Sequence, residues 1–463
     1  MRRVPPPYLG AALSSVVVAL VFPLTLLHAQ LPVEEPSWSR QFGTPQPDQA
    51  NGIAVLDGNV YVVGDVIGAL PGESNEFPQE KSGFLRKYDY QGKVVWTRSI
   101  GNNMPNEDSV TSVAATAGAV YVAGWTRGVL GPQRIGTEHE AFVSKYDLNG
   151  TLQWTQQFGT TAGDEANGVA ADASGVYVAG FVECCGSPLN ALGSTGTDAF
   201  VRKYSPEGAE LWTRQFGSVD VDRATAITVD ATGVYVVGTT NGAFVPGRLG
   251  QQDGFLAKFG KDGTTLLSKQ FGTTDYNEEA NAVAVGPSGI YVGGRTTGAL
   301  EGKMPAGLWD GYVMQFNSDG ILQWTRQIAG PGDGDNVQGL AVGLTHLLVT
   351  GAADGSLSGQ PFVGGSDAFY RLYDFNGVEA STREFGNGLN DWGSGAAADL
   401  RAFYIVGSKE GNALGLTPVG DNDAFVTKMA PKPLDKEDVK LPAGPRGTGG
   451  RGAGRTGRAG RGN

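Results

Sequence analysis

Four short motifs, each present seven times, constrain this chain more than any other feature. Trp-Thr-Arg-Gln-Phe-Gly or a relative begins at Trp38, Trp96, Trp154, Trp212, Leu267, Trp324 and Ser381, at intervals of 58, 58, 58, 55, 57 and 57 residues. Val-Tyr-Val-Val-Gly or similar ends at Gly64, Gly124, Gly180, Gly238, Gly294, Gly351 and Gly407. Asp-Ala-Phe-Val-Arg-Lys-Tyr, in its fullest form, places a ring at Phe84, Phe142, Phe200, Phe255, Tyr312, Phe369 and Phe425. Ala-Asn-Gly-Val-Ala, or a relative, centres on Ile53, Val113, Val169, Ile227, Val283, Leu340 and Ala396. Repetition at a fixed period means one supersecondary unit used many times.

Each motif is a short run of β-branched, aromatic and small residues bounded by Gly, Asp, Asn or Pro, which predicts a strand. Asp147-Leu148-Asn149-Gly150 and Asp172-Ala173-Ser174-Gly175 supply the Asp and Gly that tight hairpins need. The high Gly count, 72 of 463, fits a chain with many such turns. No stretch of the body sustains a helical period. The expected fold is therefore all-β: a seven-bladed β-propeller of four-stranded antiparallel blades over residues 30–430. The Ala-Asn-Gly motif has the smallest side chains and suits the crowded innermost strand. The Trp motif is bulkiest and suits the outer edge. In that frame the strand at Trp38 precedes the first inner strand, and the unit from Trp392 to Met429 has only three strands. The ring is expected to close by pairing the N-terminal strand with the C-terminal three, which removes an exposed edge.

The two ends read differently. Arg2 and Arg3, the apolar run Ala11–Leu27 and the Leu27-His28-Ala29 site predict a signal peptide over residues 1–29. Residues 431–463, with five arginines set among glycines and no aromatic residue, predict a disordered basic tail. The tail carries eight Lys/Arg against three Asp/Glu. With the two leader arginines also set aside, the net charge of −12 becomes −19 on the body. So acidic a body argues against nucleic acid as its partner. Cys184 and Cys185 are the only cysteines and form no disulfide framework.

Gly-Val-Tyr-Val-Ala-Gly (175–180), Gly-Thr-Asp-Ala-Phe-Val-Arg-Lys-Tyr (196–204) and Leu-Trp-Thr-Arg-Gln-Phe-Gly (211–217) together resemble the bacterial seven-bladed beta-propeller repeat family, SBBP. The resemblance runs over residues 38–429 and departs from the pattern at Leu267 and Ser381, where the Trp is missing. It implies an exported or surface-associated bacterial protein in an adhesive or scaffolding role, and no common activity.

The most regular polar feature is acidic. Two residues before the leading residue of each inner strand stand Asp48, Asp108, Asp164, Asp222, Glu278, Asp335 and Asp391. A second set opens the third strands: Glu140, Asp198, Asp253, Asp310, Asp367 and Asp423, with Ser82 as the exception. Both sets start on one face of the ring. As a functional surface they would form a ligand-binding rim that concentrates cations, and such oxygen ligands suit Ca²⁺. Asp333 and Asp335, in Gly332-Asp333-Gly334-Asp335-Asn336, are the most ligand-rich single case, though without EF-hand spacing. The structural alternative is that each acid accepts hydrogen bonds from N–H groups of its own loop, and equal occurrence in every blade favours it.

Apolar residues such as Leu70, Leu130, Leu300 and Leu357 recur in the loops between second and third strands, as packing anchors or as equivalent sugar pockets. Trp125 and Trp309 fall in or beside those loops. Catalysis finds little support: there is no His-Glu-x-x-His, no Gly-x-Ser-x-Gly and no phosphate-cradling loop. The expected function is non-catalytic binding or scaffolding by a secreted monomer, with an envelope protein or polysaccharide as partner. The alternative is a polysaccharide-processing hydrolase or lyase with its site in the channel, which a unique His/Glu/Tyr cluster there would favour.

Overall fold

The structure is a computed structural model. It describes residues 36–430 apart from 75–78, 102–106, 133, 184–195, 248, 301, 303–304 and 412–417. The leader, the basic tail and both cysteines lie outside the described residues. Those residues form twenty-eight strands in seven four-stranded antiparallel sheets. The first six blades span 48–100, 108–158, 164–216, 222–271, 278–328 and 336–385, each running from inner to outer strand in chain order. In the seventh, Asp391–Ala398, Phe403–Glu410 and Asn422–Met429 are joined by the N-terminal strand Pro36–Phe42, in register from Trp38 opposite Lys428 to Phe42 opposite Ala424.

Each inner strand carries a bulge. The register skips Asn51, Thr111, Asn167, Thr225, Asn281, Gln338 and Ser394 against the second strand. A bulged residue is re-aimed out of the ladder. Here it reaches the neighbouring blade: Asn51 donates to the Val110 carbonyl at 3.0 Å, Thr111 to Ala166 at 2.6 Å, Asn167 to Ala224 at 2.9 Å and Thr225 to Ala280 at 2.5 Å. The same bulge explains the glycine that ends each second-strand motif. A Cβ on Gly64, Gly124 or Gly180 would run into the carbonyl oxygen of Gln49, Ser109 or Glu165.

The seams between blades are aromatic. The third-strand rings are at most 1% exposed. The outer-strand Phe of one blade meets the third-strand ring of the next edge-on, as Phe42 meets Phe84 at 5.5 Å and Phe158 meets Phe200 at 5.6 Å. Around the rim a second device repeats. The outer-strand Trp covers the glycine of the next blade's hairpin turn, and its indole N–H donates to a carbonyl of that turn. Trp38 bonds Tyr90 at 3.1 Å, Trp96 bonds Leu148 at 3.3 Å, Trp154 bonds Pro206 at 3.1 Å, Trp212 bonds Lys261 at 3.0 Å and Trp324 bonds Phe375 at 3.3 Å. Two residues on, a long polar side chain bonds the turn glycine itself: Arg40 to Gly92, Arg98 to Gly150, Gln156 to Gly208, Arg214 to Gly263 and Arg326 to Gly377, at 2.7–3.0 Å. Those glycines have φ between +75° and +89°, and any Cβ there would strike the indole. Turn and Trp therefore specify each other across the seam.

The loop leucines serve as anchors, with Leu70 and Leu357 at most 1% exposed. Trp125 lies within the strand Ala119–Thr126 and not in the loop after it. Removing one indole should loosen one seam: Trp96→Ala is expected to cost about 2–3 kcal/mol, read as a lower midpoint in guanidinium unfolding.

Candidate functional site at the channel mouth

The two acidic rows come first, because they are the most regular polar feature. Asp48, Asp108, Asp164, Asp222, Glu278, Asp335 and Asp391 are all at most 1% exposed. Six of them open an inner strand, and Asp335 stands one residue before its own. Each accepts from nearby chain. Asp48 takes the Thr44 N–H and hydroxyl, Asp164 those of Thr160, and Asp222 those of Ser218. Glu278 takes the Thr273 N–H at 3.0 Å, Asp391 the Asn387 N–H at 3.0 Å and Asp335 the Gly330 N–H at 2.6 Å. Asp108 accepts the Thr126 hydroxyl. The loop N–H groups thereby gain partners that no strand supplies.

The second row is equally buried. Its partners come from the outer strand's glutamine: Gln157 donates to Glu140 at 3.0 Å, Gln215 to Asp198 at 2.5 Å, Gln270 to Asp253 at 2.5 Å, Gln327 to Asp310 at 2.8 Å and Gln41 to Asp423 at 2.5 Å. Where the acid is Ser82, the glutamine position is Ser99. The two positions depart from the pattern together. In the sixth blade a second acid, Glu384, replaces the glutamine beside Asp367, and burial pushes its pKa to about 7. Asp333 is exposed while Asp335 is buried. Among the described residues, no group of three or more His, Cys, Asp or Glu side chains is placed to hold a metal ion.

The residue after each inner-strand acid behaves in the opposite way. That position is Gln49, Ser109, Glu165, Arg223, Glu279, Asn336 and Trp392, a different chemistry in almost every blade. Opposite, across the ladder, stand Asp65, Trp125, Phe181, Thr239, Arg295, Ala352 and Ser408. Part of this ring, with the bulged amides and hydroxyls below it, lines a polar cavity of about 380 Å³ at the channel, including Gln49, Asn51, Glu279, Arg295, Gln338 and Ser394.

These side chains form a connected belt over the first four blades. Asp65 accepts from Ser109 and the Val110 N–H, both at 3.0 Å, and Lys81 lies 3.6 Å from it. The Lys81 ammonium sits 4.5 Å over the Trp125 ring, whose other neighbour is His139 at 5.4 Å. His139 Nε2 is 3.3 Å from Glu165, and that contact raises the imidazole pKa. Arg223, exposed, lies 4.8 Å over Phe181. In the fifth blade Arg295 clamps Glu279 through two bonds, at 2.7 and 3.0 Å, and covers Trp309 at 4.3 Å. The sixth and seventh blades contribute only neutral side chains to the two rings: Asn336, Ala352, Trp392 and Ser408. Ser109 and Trp125 of the second blade are likewise uncharged, so the two rings carry charge in four blades and none in three. A repeat scaffold of this kind can tell one orientation of a partner from another. The repeated residues hold the fold, and the position after the inner-strand acid is where the blades differ most in charge and shape.

Fold and mouth together define a β-propeller with one individualised face. The Beta-propeller repeat model, SBBP, matches residues 37–67, so the chain carries that repeat. Among curated proteins it is similar to the regulatory protein FlaEY of Caulobacter vibrioides, 28% identical over 363 residues. The match covers 68% of this chain and only 37% of that protein. Among solved structures it is similar to the Pan2 WD40 domain of Neurospora crassa, with 9% identity, 70% of this chain and 90% of that one covered, and a TM-score of 0.40. No helix among the described residues is long and apolar enough to cross a membrane.

The buried acids make stability depend on pH. Burial pushes Asp48, Asp164 and Asp391 to about 7 and Asp335 to about 6, against the lowering effect of their loop hydrogen bonds. The folded chain therefore holds protons that the unfolded chain has released above about pH 4. That contribution is largest in acid and is lost as pH rises through 6–7. The melting temperature is expected to be higher at pH 5.5 than at pH 8, and Asp48→Asn should flatten the difference.

Proposed function

We propose that this chain is a non-catalytic binding propeller, exported from the cell, that presents its channel mouth to an envelope protein. One observation carries the reading. The positions that hold the fold repeat from blade to blade, whereas the mouth ring, from Gln49 to Trp392, differs in almost every blade. A ring used only for packing has no need of such variety. Exposed Arg223 and the half-buried acids and aromatics around it are the mixture that protein interfaces favour, with Arg and Trp as anchors. The regulatory role printed for the Caulobacter relative agrees with a protein partner. Export rests on the apolar run Ala11–Leu27 behind Arg2 and Arg3. A polysaccharide is the alternative ligand, and calcium assistance is a separate condition of the test.

A second reading has one observation behind it. Among the described residues His139 and Glu165 form a His/Glu pair beside the channel mouth, which supplies two of the three side-chain types of a channel hydrolase or lyase cluster. Affinity capture from envelope and culture medium, with and without a calcium chelator, separates these readings. The mature chain is expected to retain a protein that a Glu165→Gln/Arg223→Ala variant of unchanged fold loses. Retention of the same material by both would remove the mouth as the binding surface. Polysaccharide shortened during the incubation would establish the enzyme.

A further inference from the structure

Five of the seven seams carry the Trp grip described above, and two do not. Between sixth and seventh blades the Trp is Ser381, and a small cavity of about 160 Å³ lies there. Between fourth and fifth blades, Leu267 and Lys269 replace Trp and Arg. The receiving turn is nevertheless intact. Gly320 keeps the same left-handed φ, +72°, and Leu267 rests where the indole stands in other seams. Asp319 and Ile321 cap that turn on Asn317 just as their equivalents do elsewhere. Leucine is much smaller than tryptophan. Beside this seam, from Lys269 to the turn at Gly320, lies a cavity of about 430 Å³, within the range that small ligands occupy.

Among the described residues the lining is mainly apolar, with Gln270, Thr273 and Thr325 as neutral polar members and Lys269 as its one cation. Phe271, Leu300, Met314 and Phe316 supply the walls. Met314 and Phe316 are almost wholly buried. Lys269 stands at the edge. Among the described residues its ammonium makes no hydrogen bond or ion pair, whereas the arginine at this position in other seams is bound to the turn glycine. A largely apolar slot, with an ammonium at its edge that has no partner among the described residues, complements a planar apolar body ending in an anion.

We infer that the seam between the fourth and fifth blades is a binding cleft for a small amphipathic carboxylate, whose planar body lies on Phe271 and Phe316 and whose carboxylate pairs with Lys269. The cleft lies along the outer flank of the ring and is separate from the channel mouth, so it stands whether or not the mouth binds a protein.

The test is calorimetric titration of the mature full chain with 2-naphthoate, with 2-naphthylmethanol as the neutral control. Saturable one-to-one binding of naphthoate is expected, with the alcohol about tenfold weaker for want of the charged hydrogen bond. Leu267→Trp with Lys269→Arg restores the grip found in the other seams. That variant should melt higher than the parent and lose naphthoate binding. Lys269→Gln, which leaves the packing alone, should weaken naphthoate about tenfold and leave the alcohol unchanged. Undiminished naphthoate binding in the restored variant, equal affinity in Lys269→Gln, or no saturable binding to the parent chain would each overturn the inference.

Discussion

The ring depends on the grip of one blade's outer strand on the next blade's hairpin turn. Backbone ladders join strands within a blade, and across a seam the backbone makes short bridges at the acidic face, as where the Glu278 N–H donates to the Gln252 carbonyl at 2.9 Å and the Asp391 N–H to the Ser366 carbonyl at 2.7 Å. Side chains carry the rest of the hold, from the bulged amides at the axis to the indoles at the rim. Near the axis the blades are crowded and small residues suffice. At the rim they diverge, and only a large side chain reaches across. Trp supplies that reach, a flat apolar face for the turn glycine and one N–H for a turn carbonyl.

The same geometry explains what the acids do. Each loop from an outer strand to the next inner strand turns back at the face of the ring and leaves N–H groups without ladder partners. A buried carboxylate at the head of the strand collects them. A second carboxylate, held by glutamine from the outer strand, sits beside it. Burial raises Asp48, Asp164 and Asp391 to about 7, so the ring contains carboxyls that lose their protons near neutrality. Much of the negative charge written in the sequence is therefore internal. The charge at the channel mouth is carried instead by Glu165, Arg223, Glu279 and Arg295, beside the aromatics they touch.

The fold was legible in the sequence because each blade repeats the same strand chemistry seven times. Strand order followed from side-chain size along the radius, small inside and Trp outside, and the structure has that order. The mouth was less legible for a physical reason. Regular acids such as Asp48 and Asp164 attract notice, and regularity is the mark of a structural task. Glu165 and Arg223 are single charges in unremarked positions, and their meeting with His139 and Phe181 depends on which blades adjoin. The bulge at Asn51 and its equivalents was also hidden. An Asn in a strand motif does not declare that it leaves the ladder for the neighbouring blade. Leu267 and Ser381 were visible as lapses in the repeat. That a lapse opens a cavity follows only once the turn of the next blade is seen standing opposite.

If seams are held by the outer-strand grip, the seam at Leu267 is the weakest of those that have a turn to receive it. Amide hydrogen exchange read by mass spectrometry tests this directly. Peptides covering Thr265–Phe271 and the turn at Gly320 should exchange faster than those covering Leu152–Phe158 and the turn at Gly208, where Trp154 and Gln156 are in place. Equal protection at the two seams would contradict the account and move the burden of holding the ring to the axis.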